Sequence, residues 1–175
     1  KSEIIDNIVE GGKIILNHDD DYFDFIKKIA LRKNINTVSF SKKNSLSDIY
    51  IKKIISKNTN YKIFINIKNF TKSFLIKKNL YPYLYNILAT VAVISEFYDL
   101  KYIDEKLFYK FKLPFSRGDI SKIKLKNKSI YLTDESYNSN PLSLKFAIEN
   151  FNEQNKNNKY LLLGDMLELG KFSKI

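Results

Sequence analysis

Carboxylates beside amides, placed where apolar runs end, are the groups in this chain best suited to chemistry. Asp134 and Glu135 close one apolar segment and open the turn Ser136, Tyr137, Asn138, Ser139 and Asn140 ahead of Pro141. Acids in such a crevice accept ribose hydroxyls, and asparagines suit turn conformations. Asn140 equally suits the N-cap of a helix opened by Pro141. Asp165 and Glu168 follow a second apolar run, Tyr160 to Leu163; a ligand-facing loop and a plain strand-to-helix turn both satisfy that arrangement.

Arginine is scarce, with only Arg32 and Arg117 among 30 basic residues. Arg117 lies in Ser-Arg-Gly-Asp, where its planar fork could bridge phosphate oxygens as charge builds or pair with Asp119. Asn86 interrupts an apolar segment in which an unbonded amide is costly, so it reads as a ligand contact or as a satisfied buried amide. The run Asn17, His18, Asp19, Asp20 and Asp21 offers oxygen ligands for a hard cation, or acids that complement the N-terminus of a following helix. His18 is the only histidine, which excludes histidine triads and multi-histidine zinc sites.

These groups need elements to hold them. Ser2 to Val9 reads as the end of a helix closed by Gly11 and Gly12. Lys13 to Leu16 is of strand length, and Tyr22 to Arg32 has helical periodicity through Phe23, Ile26, Ile29 and Ala30. Strands are expected at 37–41, 49–55, 61–67 and 73–77, the third with strict alternation at Ile63, Ile65 and Ile67. Tyr83 to Phe97 is apolar on nearly every side, as in a buried helix. Asp104 opens a short helix to Phe111, strands follow at 120–126 and 130–133, Pro141 starts a helix to about Phe151, and Tyr160 to Leu163 is expected as a buried strand. The pattern is α/β with a β-rich middle. A start in mid-helix and an end just after a strand suggest a piece of a longer chain.

Composition narrows the classes further. At 175 residues and 44% hydrophobic content the chain can bury a core unaided, and without cysteine it has neither disulfides nor thiolate metal sites. No apolar run approaches the roughly 18 residues of a membrane span, and no signal peptide is evident, so a cytoplasmic protein without a membrane partner is expected. The net charge of +11 raises nucleic acid as a partner, yet the lysines are scattered among Asn and Ile along the whole length. A basic nucleic-acid-binding module is the rival reading, and the expectation is no nucleic acid.

The order Lys-Ser-Glu-Ile at 1–4, Leu-Asn-His-Asp-Asp at 16–20, the Asn86 helix, Ser-Arg-Gly-Asp at 116–119, Asp-Glu-Ser-Tyr-Asn-Ser-Asn-Pro at 134–141 and Leu-Gly-Asp-Met-Leu-Glu-Leu-Gly at 163–170 resembles the Mur ligases of bacterial peptidoglycan synthesis. The likeness is greatest to those members that add D-Ala-D-Ala; another Mur-type ligase or a folylpolyglutamate synthase-like enzyme is the neighbouring alternative. It implies that residues 1–115 are the latter part of a central ATP-binding domain and 116–175 the start of a Rossmann-like C-terminal ligase domain. No Gly-x-x-x-x-Gly-Lys-Ser/Thr phosphate loop occurs among these residues.

The resemblance further implies ATP and Mg²⁺ as cofactors and UDP-MurNAc-tripeptide and D-Ala-D-Ala as substrates, joined through an acyl phosphate by a cytoplasmic, monomeric enzyme. By motif position, Lys1 becomes a carbamate that holds the metal and acts in catalysis with Arg117. Asn86, Arg117, Asp134, Glu135 and Asn138 contact the nucleotide, with one acid of the Asp134–Glu135 pair on the ribose. Asn140, Asp165 and Glu168 face the substrates. Leu80 and Pro82 stand where the family has Gly and His. The piece alone is expected to be inactive.

Overall fold

Alternating β-branched residues build the sheet that organises the first half of the chain. Ile63, Ile65 and Ile67 are each at most 1% exposed, while their neighbours Phe64 and Asn66 are only partly covered; this is the period of two that a strand imposes. The computed structural model describes residues 2–154, 158–166 and 169. The chain forms two compact units, Lys1–Phe111 and Lys112–Ile175.

The first unit holds a five-stranded sheet in the order β1 (Lys13–Asn17), β2 (Asn36–Ser41), β3 (Ile49–Ser56), β4 (Asn60–Ile67) and β5 (Phe70–Lys77). β1, β2 and β3 run parallel, and β4 and β5 continue antiparallel. α1 (Phe23–Arg32) makes the crossover from β1 to β2 that a parallel pair requires. It packs on both strands, with Ile26, Ile29 and Ala30 meeting Ile5, Ile8, Ile14 and Ile35. β2 and β3 are staggered, Phe40 opposite Ile49, so a short loop at 42–48 joins them.

α2 (Leu84–Ser95) buries Leu84, Ile87, Leu88, Val91 and Ala92 against β1, β2 and β3. Its other face is open: Asn86 and Thr90 are exposed, and Val93 is 45% exposed. The helix therefore has one buried face, where the apolar sequence predicts cover all round. At its end Glu96, with a side chain only 8% exposed, takes ion pairs from Lys13 on β1 and from Lys68 in the β4–β5 turn.

Two expected helices take other forms. The opening segment is a 3₁₀ helix, Ser2–Asn7. At Gly12 a Cβ would stand 2.5 Å from the Ile8 side chain, so only glycine lets the chain pass so closely into β1. The segment after Asp104 is a series of turns. The Asp104 carboxylate captures the Lys106 amide, and the Glu105 carbonyl accepts from Leu75 N–H on the edge strand β5 at 2.8 Å, so the groups a helix would use are committed elsewhere. Phe108 then packs edge-on against buried Phe74.

The second unit contains an antiparallel hairpin, β6 (Asp119–Leu125) and β7 (Lys128–Asp134), and α3 (Pro141–Glu153). Tyr160 to Leu163 is exposed and without regular secondary structure, not a buried strand; Leu162 is 97% exposed. An apolar run becomes a strand only when a neighbour takes its backbone groups, and β6 and β7 pair with each other. The α/β expectation holds for the chain. Among the described residues no helix is long and apolar enough to cross a membrane.

Candidate functional site

The two motifs of the second unit meet at the open end of its hairpin. Register places Asp119 opposite Asp134, so the turn before β6 and the turn after β7 leave the sheet side by side. Three hydrogen bonds then knit them together. Gly118 N–H donates to the Asp134 carbonyl at 2.7 Å, Ser116 Oγ donates to Asp134 Oδ2 at 2.8 Å, and Tyr137 N–H donates to the Ser116 carbonyl at 3.1 Å.

Arg117 sits between two residues of positive φ, Ser116 at 59° and Gly118 at 81°. Glycine is cheap at 118, while Ser116 is held there because its N–H reaches Asp119 Oδ1 at 2.8 Å and its hydroxyl reaches Asp134. The Asp119 carboxylate, a partner the sequence offers to Arg117, thus receives the Ser116 amide. The Arg117 guanidinium carbon lies 4.2 Å from the centroid of the Tyr137 ring. Stacking of this kind uses the face of the guanidinium and consumes none of its N–H donors.

Asp134 and Glu135 have different surroundings. Both Asp134 carboxylate oxygens are engaged within the chain, Oδ1 by Ser136 N–H at 3.0 Å and Oδ2 by Ser116. Hydrogen bonds from Ser136, followed by the one from Ser116, hold its carboxyl below the usual range. Glu135 is on the surface; partial desolvation, and then the charges of Asp134 and Asp119, push its carboxyl up. Of the pair, Asp134 has both carboxylate oxygens bonded within the chain, while Glu135 is exposed.

Other predicted positions fall as follows. Asn138 is exposed. Asn140 caps α3: its Oδ1 accepts from Ser143 N–H at 2.9 Å, and Ser143 Oγ accepts from Asn140 N–H at 2.9 Å, a reciprocal capping box. Asp165 is exposed, while Lys1 and Glu168 lie outside the described residues. In the first unit Asn86 is on the open face of α2, so the reading of a buried, satisfied amide does not apply and its side chain is accessible.

The acidic run after β1 forms a network at the carboxyl ends of the parallel strands. Asp19 accepts from Ser41 Oγ at 2.5 Å and from Lys42 N–H at 2.7 Å, and also bonds the Tyr85 hydroxyl. Burial raises the Asp19 carboxyl, but those hydrogen bonds together outweigh it and leave the group lowered; Tyr85 is pushed up by burial and by Asp19. His18 stacks on Phe23 and bridges Ser47 and Asn44. Asp20 instead turns its carboxylate to Tyr22 N–H at the start of α1. Among the described residues no three His, Asp or Glu side chains converge on a metal position.

Sequence reasoning passed over Tyr137 and Ser116, both inside motifs it singled out. An aromatic residue within an otherwise polar turn, with one of only two arginines in a nearby turn, was the available signal. Ser41 and Tyr85 gave none, because their partner Asp19 is far away in sequence.

Residues 1–94 match the family model of the Mur ligase middle domain. No curated protein matches in sequence. Among solved structures the chain is similar to MurF from Acinetobacter baumannii, with 20% identity over 89% of this chain and 32% of that one and a TM-score of 0.68. It is also similar to the MurF ligase from Thermotoga maritima solved in complex with ADP, with 19% identity, 81% and 31% coverage and a TM-score of 0.60. The structure of a UDP-N-acetylmuramoyl-L-alanyl-D-glutamate–2,6-diaminopimelate ligase aligns at 16% identity over 81% of this chain and 28% of that one, with a TM-score of 0.54. The chain spans about a third of the length of the MurF proteins it matches, and likeness at these identities establishes the fold. With the middle-domain match covering more than half of its 175 residues, the chain belongs to the Mur ligase family.

Proposed function

We propose that this chain is part of an ATP-dependent ligase that adds D-Ala-D-Ala to UDP-MurNAc-tripeptide in peptidoglycan precursor synthesis. The observation that carries the reading furthest is the meeting of Ser-Arg-Gly-Asp with Asp-Glu-Ser-Tyr-Asn-Ser-Asn-Pro, which sets Arg117 on Tyr137 and leaves Glu135 on the surface beside an internally bonded Asp134. The fold likeness to MurF supports the same member of the family. A planar cation and an exposed acid suit phosphate and ribose respectively. Asn86, accessible on α2, suits the adenine edge.

In this reading a carboxylate oxygen of the peptide attacks the γ-phosphorus of ATP, forming an acyl phosphate and releasing ADP. The amine of D-Ala-D-Ala then attacks the acyl carbon through a tetrahedral intermediate that expels inorganic phosphate. Arg117 stabilises phosphoryl oxygens as their charge grows. Glu135 fixes the ribose and thereby orients the nucleotide, while Asn138 and Asp165 serve the ligands from exposed turns. Magnesium, held by Lys1 as its carbamate, would supply charge neutralisation along the phosphates; Glu168 belongs with Asp165 on the substrate side.

The test is phosphate release by the complete natural gene product. Release that requires both the UDP-linked tripeptide and D-Ala-D-Ala is the expected result. Equal activity with a single amino acid in place of the dipeptide would reassign the chain within the family, and salt-sensitive nucleic-acid binding without ligase activity would replace the reading altogether.

A further inference from the structure

We infer that Tyr137 is a positioning residue for Arg117, holding the guanidinium face so that its edge is presented to phosphoryl oxygens. The inference rests on the ligase reading for the role of Arg117, and on geometry alone for the pairing. The ring stands 4.2 Å from the guanidinium carbon, and both residues are tied to one frame. Tyr137 N–H reaches the Ser116 carbonyl, Gly118 N–H reaches the Asp134 carbonyl, and Ser116 Oγ reaches Asp134, so each residue flanking Arg117 is bonded into the turn that carries the ring.

A long, solvent-facing arginine loses rotamer freedom when it clamps an anion. A ring that already occupies one face removes part of that loss before the ligand arrives. The ring does so without using any N–H donor, which a carboxylate partner would do. The hydroxyl of Tyr137 has no part in this: an aromatic face is the requirement. In this role Tyr137 acts through Arg117.

Two measurements separate the pairing from the function. In the first, the chain is labelled at its two arginines, Arg32 and Arg117, and the side-chain Nε–Hε resonances are recorded by NMR. The Arg117 resonance is expected to carry an upfield ring-current shift that Tyr137→Leu abolishes and Tyr137→Phe keeps. An Arg117 resonance indifferent to Tyr137→Leu overturns the pairing.

In the second, the complete ligase is assayed. Tyr137→Leu is expected to lower kcat roughly tenfold with KM for ATP nearly unchanged, and Tyr137→Phe to restore it to within about twofold. Tyr137→Leu combined with Arg117→Ala is expected to be no worse than Arg117→Ala alone. A Phe variant as poor as the Leu variant overturns the positioning role by assigning it to the hydroxyl. A ring-current shift that behaves as expected in an enzyme whose kcat ignores both Arg117→Ala and Tyr137→Leu sinks the role given to Arg117 and leaves the pairing intact.

Discussion

Ser116 and Asp134 stand 18 residues apart in sequence and are joined by a 2.8 Å hydrogen bond from the serine hydroxyl to the carboxylate. The same carboxylate receives Ser136 N–H, so one acid fixes the turn on each side of the hairpin opening. Asp134→Ala should release both. The Ser136 amide is expected to exchange with solvent about five- to tenfold faster in the variant, as measured by hydrogen exchange. Asp134→Asn keeps an acceptor for Ser136 and should fall between. An unchanged Ser136 rate in the alanine variant would mean that the turn does not depend on the carboxylate.

Asp19 does the corresponding work at the carboxyl ends of β1 and β2. Its oxygens take the hydroxyl of fully buried Ser41 and the amide of Lys42. Asp19→Ala leaves those donors without their acceptor and should cost about 2 kcal/mol of stability. Urea unfolding of the two proteins side by side measures it; equal midpoints would show that the Asp19 bonds contribute nothing net.

Glu96 gives the fold a defined response to acid. Hydrogen bonds from Lys13, then Lys68, lower its carboxyl despite burial. A carboxylate depressed in the folded state stabilises above its unfolded value, about 4.3 for glutamate, and that contribution is lost as pH falls through the lowered folded value. Glu96→Gln should therefore be less stable at pH 7 by about 1 kcal/mol, a modest figure because both lysine ends of the pairs are exposed and screened by water. The difference should vanish near pH 2. Unfolding curves that stay apart at low pH would show that packing, not charge, distinguishes the variants.

Asn140 tests whether a cap is also a contact. Asn140→Ala should weaken α3 by about 1 kcal/mol, and Asn140→Asp should retain most of the capping. If capping is the whole role of Asn140, the Asp variant of the complete ligase keeps its activity. A large rise in KM for D-Ala-D-Ala in the Asp variant, with helicity by circular dichroism intact, would show a substrate contact in addition.

The sequence patterns that served well were local and periodic. Ile63, Ile65 and Ile67 announced β4, Pro141 announced α3, and the α/β class followed from their succession. Failures came where a distant partner decides the outcome. The segment after Asp104 gives up helical bonds because β5 offers Leu75 N–H, and the strand expected at Tyr160 to Leu163 finds no partner among the described residues. Asn86 read equally as a ligand contact or a buried amide; which face the sheet covers decides its exposure, and that is a tertiary fact. For the candidate site, residue types were legible in the motifs, whereas the internal bonding of Asp134 beside an exposed Glu135 needed the geometry of Ser116.

The bond from Leu75 to Glu105 has a consequence for the chain among other chains. β4 and β5 form a long hairpin rich in Ile, Phe and Tyr, the composition that recruits further strands when an edge is bare. Glu105 occupies a donor in the middle of that edge, Phe108 lies over Phe74, and the ammonium of Lys72 is tethered to the Lys101 carbonyl. The peptide after α2 thus works as a stopper against strand addition. Loosening it, by substitution at Phe108 for instance, would turn the most β-prone part of the molecule into a seed for self-association.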